Sequence, residues 1–126
     1  MSRILIVTYR PAPGHFEEVI ALLRAQYQRI RALGVDTTRP PILVRSAAGE
    51  LTYVASFAHA DEVDRCWEDP EFQDLDGRLA EVAEMIPLRA LHEASGSYAD
   101  LEEVGPDRKA SPLARDDSDE AIELLS

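Results

Sequence analysis

The sequence predicts an α+β fold of the ferredoxin-like kind, a four-stranded antiparallel sheet with both helices on one face. Two observations predict it. Strand-like and helix-like hydrophobic patterns follow one another as β-α-β-β-α-β over residues 1–96. The strand segments ILIV and ILV are apolar at consecutive positions, whereas a sheet with one wet face alternates apolar and polar residues. The second sheet face therefore needs a cover. No further helix pattern is available in residues 1–96, so a second copy of the chain is the economical answer.

The elements follow in order. ILIVTY (4–9) is β-branched and apolar, and PAPG (11–14) breaks the strand. From His15 a helix pattern runs through Phe16, Ile20, Leu23, Tyr27 and Ile30, with Leu33 continuing the stripe and Gly34 as the stop. DTTRPP (36–41) reads as a loop. ILVRS (42–46) and LTYVASF (51–57) flank AAGE as a hairpin. A second helix begins in HADEVDRCWED with Asp61 as its cap. Asp69-Pro70 restarts it as an offset segment, capped by the aspartate with proline at the first helical position. The stripe Phe72, Leu75, Leu79, Val82 and Ile86 runs on to Pro87, and LRALHEA (88–94) is expected as the last strand. Residues 97–126 read as an acidic extension, partly flexible, with a possible short helix at DSDEAIELLS.

The formal net charge is −11, with nine acids and three bases in residues 97–126 and fifteen acids and ten bases before them. Nucleic acid phosphates and anionic lipid would repel such a chain, so neither is expected as a partner. No apolar run approaches the roughly 18 residues of a membrane span, and the start lacks the pattern of a signal peptide. One cysteine forms no internal disulfide, and three scattered histidines give no metal-ligand spacing. A cytoplasmic protein without metal or cofactor is expected.

The stretches ILIVTYRPAPGHFEEVIALL and LTYVASFAHADEVDRCWEDPEFQDL resemble the antibiotic biosynthesis monooxygenase family. The resemblance covers roughly residues 3–95 and implies a homodimer whose two sheets face each other as a dimeric α/β barrel. It also implies an oxidoreductase pocket between helices and sheet, used for cofactor-free oxidation of small aromatic or polyketide-like compounds, or for oxidative haem breakdown. The haem-degrading branch uses an asparagine on the first strand, a tryptophan on the second helix and a histidine downstream. Trp67 fits the tryptophan. The chain has no asparagine, and no histidine lies between His59 and His92, so haem degradation is not expected. The aromatic-oxidising branch has an asparagine one turn before the tryptophan, where this chain has Val63, and a later tyrosine that falls near Phe72. The family includes non-enzymes, and a non-catalytic dimer that binds a small ligand or a protein is the alternative.

Candidate site residues follow from these patterns. His59, at a strand-to-helix corner, could take a phenolic proton beside Tyr53, since the phenolate is the form that gives an electron to O₂. Trp67, Phe72 and Tyr9 are candidates for the wall around a flat ligand, with Trp67 set on the sheet-facing side of its helix and partly packed at the Asp69-Pro70 break. Cys66 points elsewhere. Arg45 and Arg89, charged residues in strand patterns, either blunt a sheet edge or hold an anionic substrate oxygen.

Overall fold

The computed structural model describes residues 2–96 and 99–105; the expected terminal helix lies outside them. Its elements are β1 (Arg3–Pro11), α1 (Phe16–Ala32), β2 (Ile42–Arg45), β3 (Leu51–Phe57), α2 (Ala60–Glu68), α3 (Pro70–Val82), β4 (Ala83–Ile86) and β5 (Glu102–Glu103). Two short 3₁₀ turns, Leu88–Ala90 and His92–Ser95, separate β4 from β5. All strand pairs are antiparallel in the order β4-β1-β3-β2-β5, so β1 and β3 are central as their hydrophobicity requires. The fold is α+β and ferredoxin-like.

Alternation along the strands sorts their side chains. Leu51, Tyr53, Ala55 and Phe57 of β3 face the helices, together with Leu5, Val7 and Tyr9 of β1. They pack on Val19, Ile20, Leu23 and Ile30 of α1 and on Phe72, Leu75 and Leu79 of α3. The other face carries Ile4, Ile6 and Thr8 opposite Ser56, Val54 and Thr52.

The C-terminus of α1 follows the sequence signal. Gly34 adopts φ 73°, a left-handed conformation that glycine reaches without steric cost, and its N–H donates to the Arg31 carbonyl. The break at Asp69-Pro70 is also as expected. The Asp69 carboxylate accepts from the Phe72 N–H at 2.8 Å and Pro70 opens α3. The α2 start differs: His59 is its N-cap residue and makes no side-chain cap bond, while Asp61 lies in the first turn.

The last strand departs from expectation. It is AEMI, not LRALHEA, and the helix stops at Val82 rather than at Pro87. Val82 and Ile86 stand four apart, which mimics another helical turn. Pairing of Thr8–Pro11 with Ala83–Ile86 overrides that local pattern. Pro87 then ends the strand, and LRALHEA folds into the 3₁₀ turns.

Because β4 lies at one sheet edge and β5 near the other, the connecting chain crosses the sheet. The helices fill one face, so it crosses the outer one. Leu91 is buried beneath this strap, the Ala47 N–H donates to the Glu93 carboxylate at 2.9 Å, and the outer-face residues Thr8, Thr52 and Ile86 are buried. The hydroxyls of Thr8 and Thr52 meet at 3.0 Å. Beyond the strap, β5 brings the sheet to five strands by closing the β2 edge. Val104 N–H donates to the Leu43 carbonyl at 2.7 Å, and Arg24 holds the Gly105 carbonyl at 2.6 Å.

Candidate functional site

The interior between α1 and the sheet contains two of the expected site residues. Tyr53 stands on β3 and Tyr9 on β1, diagonal neighbours on the helix-facing side. Burial, reinforced by the negative charge of Asp76, pushes the Tyr9 phenol up to about 12. Tyr53 is raised further above the ordinary tyrosine range, chiefly by burial and then by Tyr27 and Tyr9. Both phenols are thus harder to ionise than a free tyrosine, so neither is set up as a phenolate base. The Tyr53 hydroxyl is buried without a hydrogen-bond partner.

Beside Tyr53 lies a cavity of about 10 Å³, bounded by Tyr27 and Ile30 of α1, by Thr37 and Arg39 of the following loop, and by Ala55 and Phe57 of β3. That volume admits about one water molecule and no aromatic ring. Sequence reasoning missed Tyr27 and Arg39 as lining residues. Tyr27 belongs to an apolar stripe that reads as core, and Arg39 lies in a loop whose course the sequence leaves open.

His59 does not join Tyr53. The strand from Tyr53 to Phe57 already spans about 13 Å at the usual rise per residue, and His59 stands beyond its end with its side chain exposed. It lies near Glu62 instead. The Glu62 carboxyl is held below the usual carboxylate range, first by the Asp36 N–H and then by Arg65.

The tryptophan assignment is corrected. Trp67 is 47% exposed, and it is the neighbouring Cys66 that faces the core. Val63 lies three residues before Cys66 and four before Trp67, so either could continue its stripe; the helix turns the small thiol inward. Burial pushes the Cys66 thiol up, away from the thiolate. Phe72 is buried in the same cluster as Cys66 and meets the Trp67 ring edge-on, with centroids 5.2 Å apart.

Neither arginine makes a hydrogen bond or ion pair with Tyr53 among the described residues, although Arg45 stands diagonal to it across the β2–β3 pair. Arg45 lies on β2 over the Phe16 ring at 4.9 Å and pairs with Glu102 of β5 at 3.4 Å. β2 is thus not a bare edge. Arg89 lies exposed in a 3₁₀ turn, not in a strand.

The strongest polar constellation was not anticipated. Arg29 of α1 donates to both oxygens of Asp69, at 2.9 and 2.8 Å, tying α1 to the α2–α3 junction. The guanidinium, aided by the Phe72 N–H, holds the Asp69 carboxyl down at about 2. Among the described residues no group of three or more His, Cys, Asp or Glu is placed to hold a metal ion. No described helix is long and apolar enough to cross a membrane.

Comparisons with known proteins agree with this architecture. The chain is similar to the solved structure of Rv0793 from Mycobacterium tuberculosis, with 25% sequence identity and a TM-score of 0.56, covering 75% of this chain and 100% of that one. No family profile and no curated protein matches it.

Proposed function

We propose that the protein is a homodimeric binding module, its two copies packing through their outer sheet faces, rather than an oxygenase. The observation that carries the dimer is the apolar group Ile4, Ile6 and Ile42 on that face, 51, 52 and 41% exposed. Ile6 of β1 and Ile42 of β2 both stand opposite Val54 of β3, which lies between them in one row across the sheet, and exposed apolar surface of this kind marks an association site. Packing two such faces buries it at roughly 25 cal/mol per Å². The test is sedimentation equilibrium. A dimer is expected at micromolar concentration, and Ile6→Glu should raise its dissociation constant by two orders of magnitude or more, since it would bury an unpaired carboxylate. A wild-type chain that stays monomeric at tens of micromolar sinks the reading.

A cofactor-free oxygenase acting on a small aromatic compound is the second reading. What favours it is the unpartnered Tyr53 hydroxyl at the cavity, which could donate to a substrate oxygen. Against it stand the cavity's size and the separation of His59 from Tyr53, so that this histidine is not the base for a phenolic proton there. Oxygen uptake with hydroquinones and fused-ring phenols is expected not to exceed the buffer rate. Turnover that disappears in Tyr53→Phe would reinstate the enzyme.

A further inference from the structure

Helices α2 and α3 present an aromatic ring to solvent in a strongly acidic part of the described surface. Residues 60–82 contain nine acids against two arginines. Arg65 is occupied by Glu62 at 2.9 Å and by the Leu33 carbonyl at 2.8 Å. Arg29, reaching across from α1, is occupied by Asp69 and Glu71. Asp64, one helical turn before Trp67, and Glu68, next to it, are exposed and have no ion-pair partner among the described residues.

The indole at the centre of these charges is held, not loose. Its edge contact with Phe72 is close to perpendicular, at 85°. Phe72 is itself buried, and its backbone N–H is fixed by the Asp69 carboxylate. The Gln73 amide donates to the Trp67 carbonyl from the other side of the break. A rigid ring loses little conformational freedom on binding, and exposed tryptophans that lose little are the usual anchors of protein interfaces.

We infer that Trp67 anchors a docking surface for a basic, arginine-bearing segment of another protein. The occupant follows from charge complementarity. A guanidinium laid on the indole face gains a cation–π contact, and the carboxylates of Asp64 and Glu68 are there to accept its N–H groups. Arginine suits this better than lysine, because its planar group can stack and donate together. The excess of acid over base on both helices steers such a segment inward and repels phosphate-bearing partners. This inference stands whether or not the sheet faces pair, since it uses the opposite side of the molecule.

Trp67 is the chain's only tryptophan, so its fluorescence reads the site directly. The full chain is titrated at low salt with a synthetic peptide alternating arginine and alanine. The expected result is a saturable change in emission, weaker with lysine in place of arginine and absent with glutamate. By calorimetry, Trp67→Ala and the double variant Asp64→Asn/Glu68→Gln should each weaken binding about tenfold or more, with far-UV circular dichroism unchanged. The absence of a saturable change overturns the inference. So does undiminished affinity in Trp67→Ala, which would mean that overall negative charge alone holds the peptide.

Discussion

At Thr8 and Tyr9 β1 is buried on both of its faces, whereas from Arg3 to Val7 it is enclosed on only two sides. At the first end β3 and β4 flank it, helices lie beneath, and the strap through Leu91 crosses above. At the other end β3 and the helices remain, but β4 has stopped opposite Thr8 and the outer face is bare. The consequence for burial runs against hydropathy. Thr8 is 2% exposed and Ile6, two residues earlier on the same face, is 52% exposed. A chain that buries a threonine pair and leaves isoleucines wet exposes apolar surface at one end of the strand, and the proposed dimer would cover that end.

Three measurements can break or sharpen this contrast. The largest effect is expected at the enclosed end. Leu91→Ala removes a buried side chain from the strap and should cost about 2–5 kcal/mol of unfolding free energy in urea. A loss below about 1 kcal/mol would mean the strap is not a true roof.

Next comes Tyr9, also at the enclosed end. Its folded pKa of about 12 exceeds the ordinary tyrosine value of about 10, so the fold favours the neutral ring. The stability this contributes is fully present below about pH 10 and is lost as pH rises through about 12. Tyrosinate absorbance should therefore rise late, with part of the late step missing in Tyr9→Phe. Full ionisation near pH 10 in the folded chain would show that water reaches the ring.

The smallest effect is expected at the open end. In solution dilute enough to keep the proposed dimer apart, Ile6→Ala should change the unfolding free energy by no more than about 0.5 kcal/mol. If the outer faces pair as proposed, the same variant should melt below the wild type at higher concentration, because association stabilises the folded state by mass action. Equal losses at Ile6 and Leu91 in dilute solution would erase the difference between the two ends.

Much of this architecture was legible in the residues. The strand and helix order through Asp69-Pro70 follows from periodicity and from cap and stop residues that act locally, such as Gly34 and Asp69. What local pattern could not resolve was decided by tertiary pairing. AEMI lies at helical spacing after Val82, yet β1 recruits it as a strand. Cys66 and Trp67 compete for the same inward position, and a rotation of one residue around the helix settles which is buried. For the candidate site, the central pairing of β1 and β3 brings Tyr9 and Tyr53 together on the helix-facing side. His59 was not brought to them, because sequence proximity to β3 says nothing about how far along the strand a corner lies. The Arg29–Asp69 pair joins residues forty apart, a separation no local rule spans.

The early end of β4 has one more consequence. The Ala12 N–H donates to the Val82 carbonyl, so even-numbered residues of β1 turn their backbone groups toward the β4 side. Where β4 is missing, the amides of Ile4 and Ile6 point away from the sheet, while those of Leu5 and Val7 point to β3. Hydrogen–deuterium exchange along this one strand should thus alternate, fast at Ile4 and Ile6 and slow at Leu5 and Val7. That alternation also distinguishes two ways of adding a second chain. A partner that covers the outer face leaves the edge amides unbonded and the two-residue rhythm in place, whereas a strand added beside β1 would slow all four amides alike.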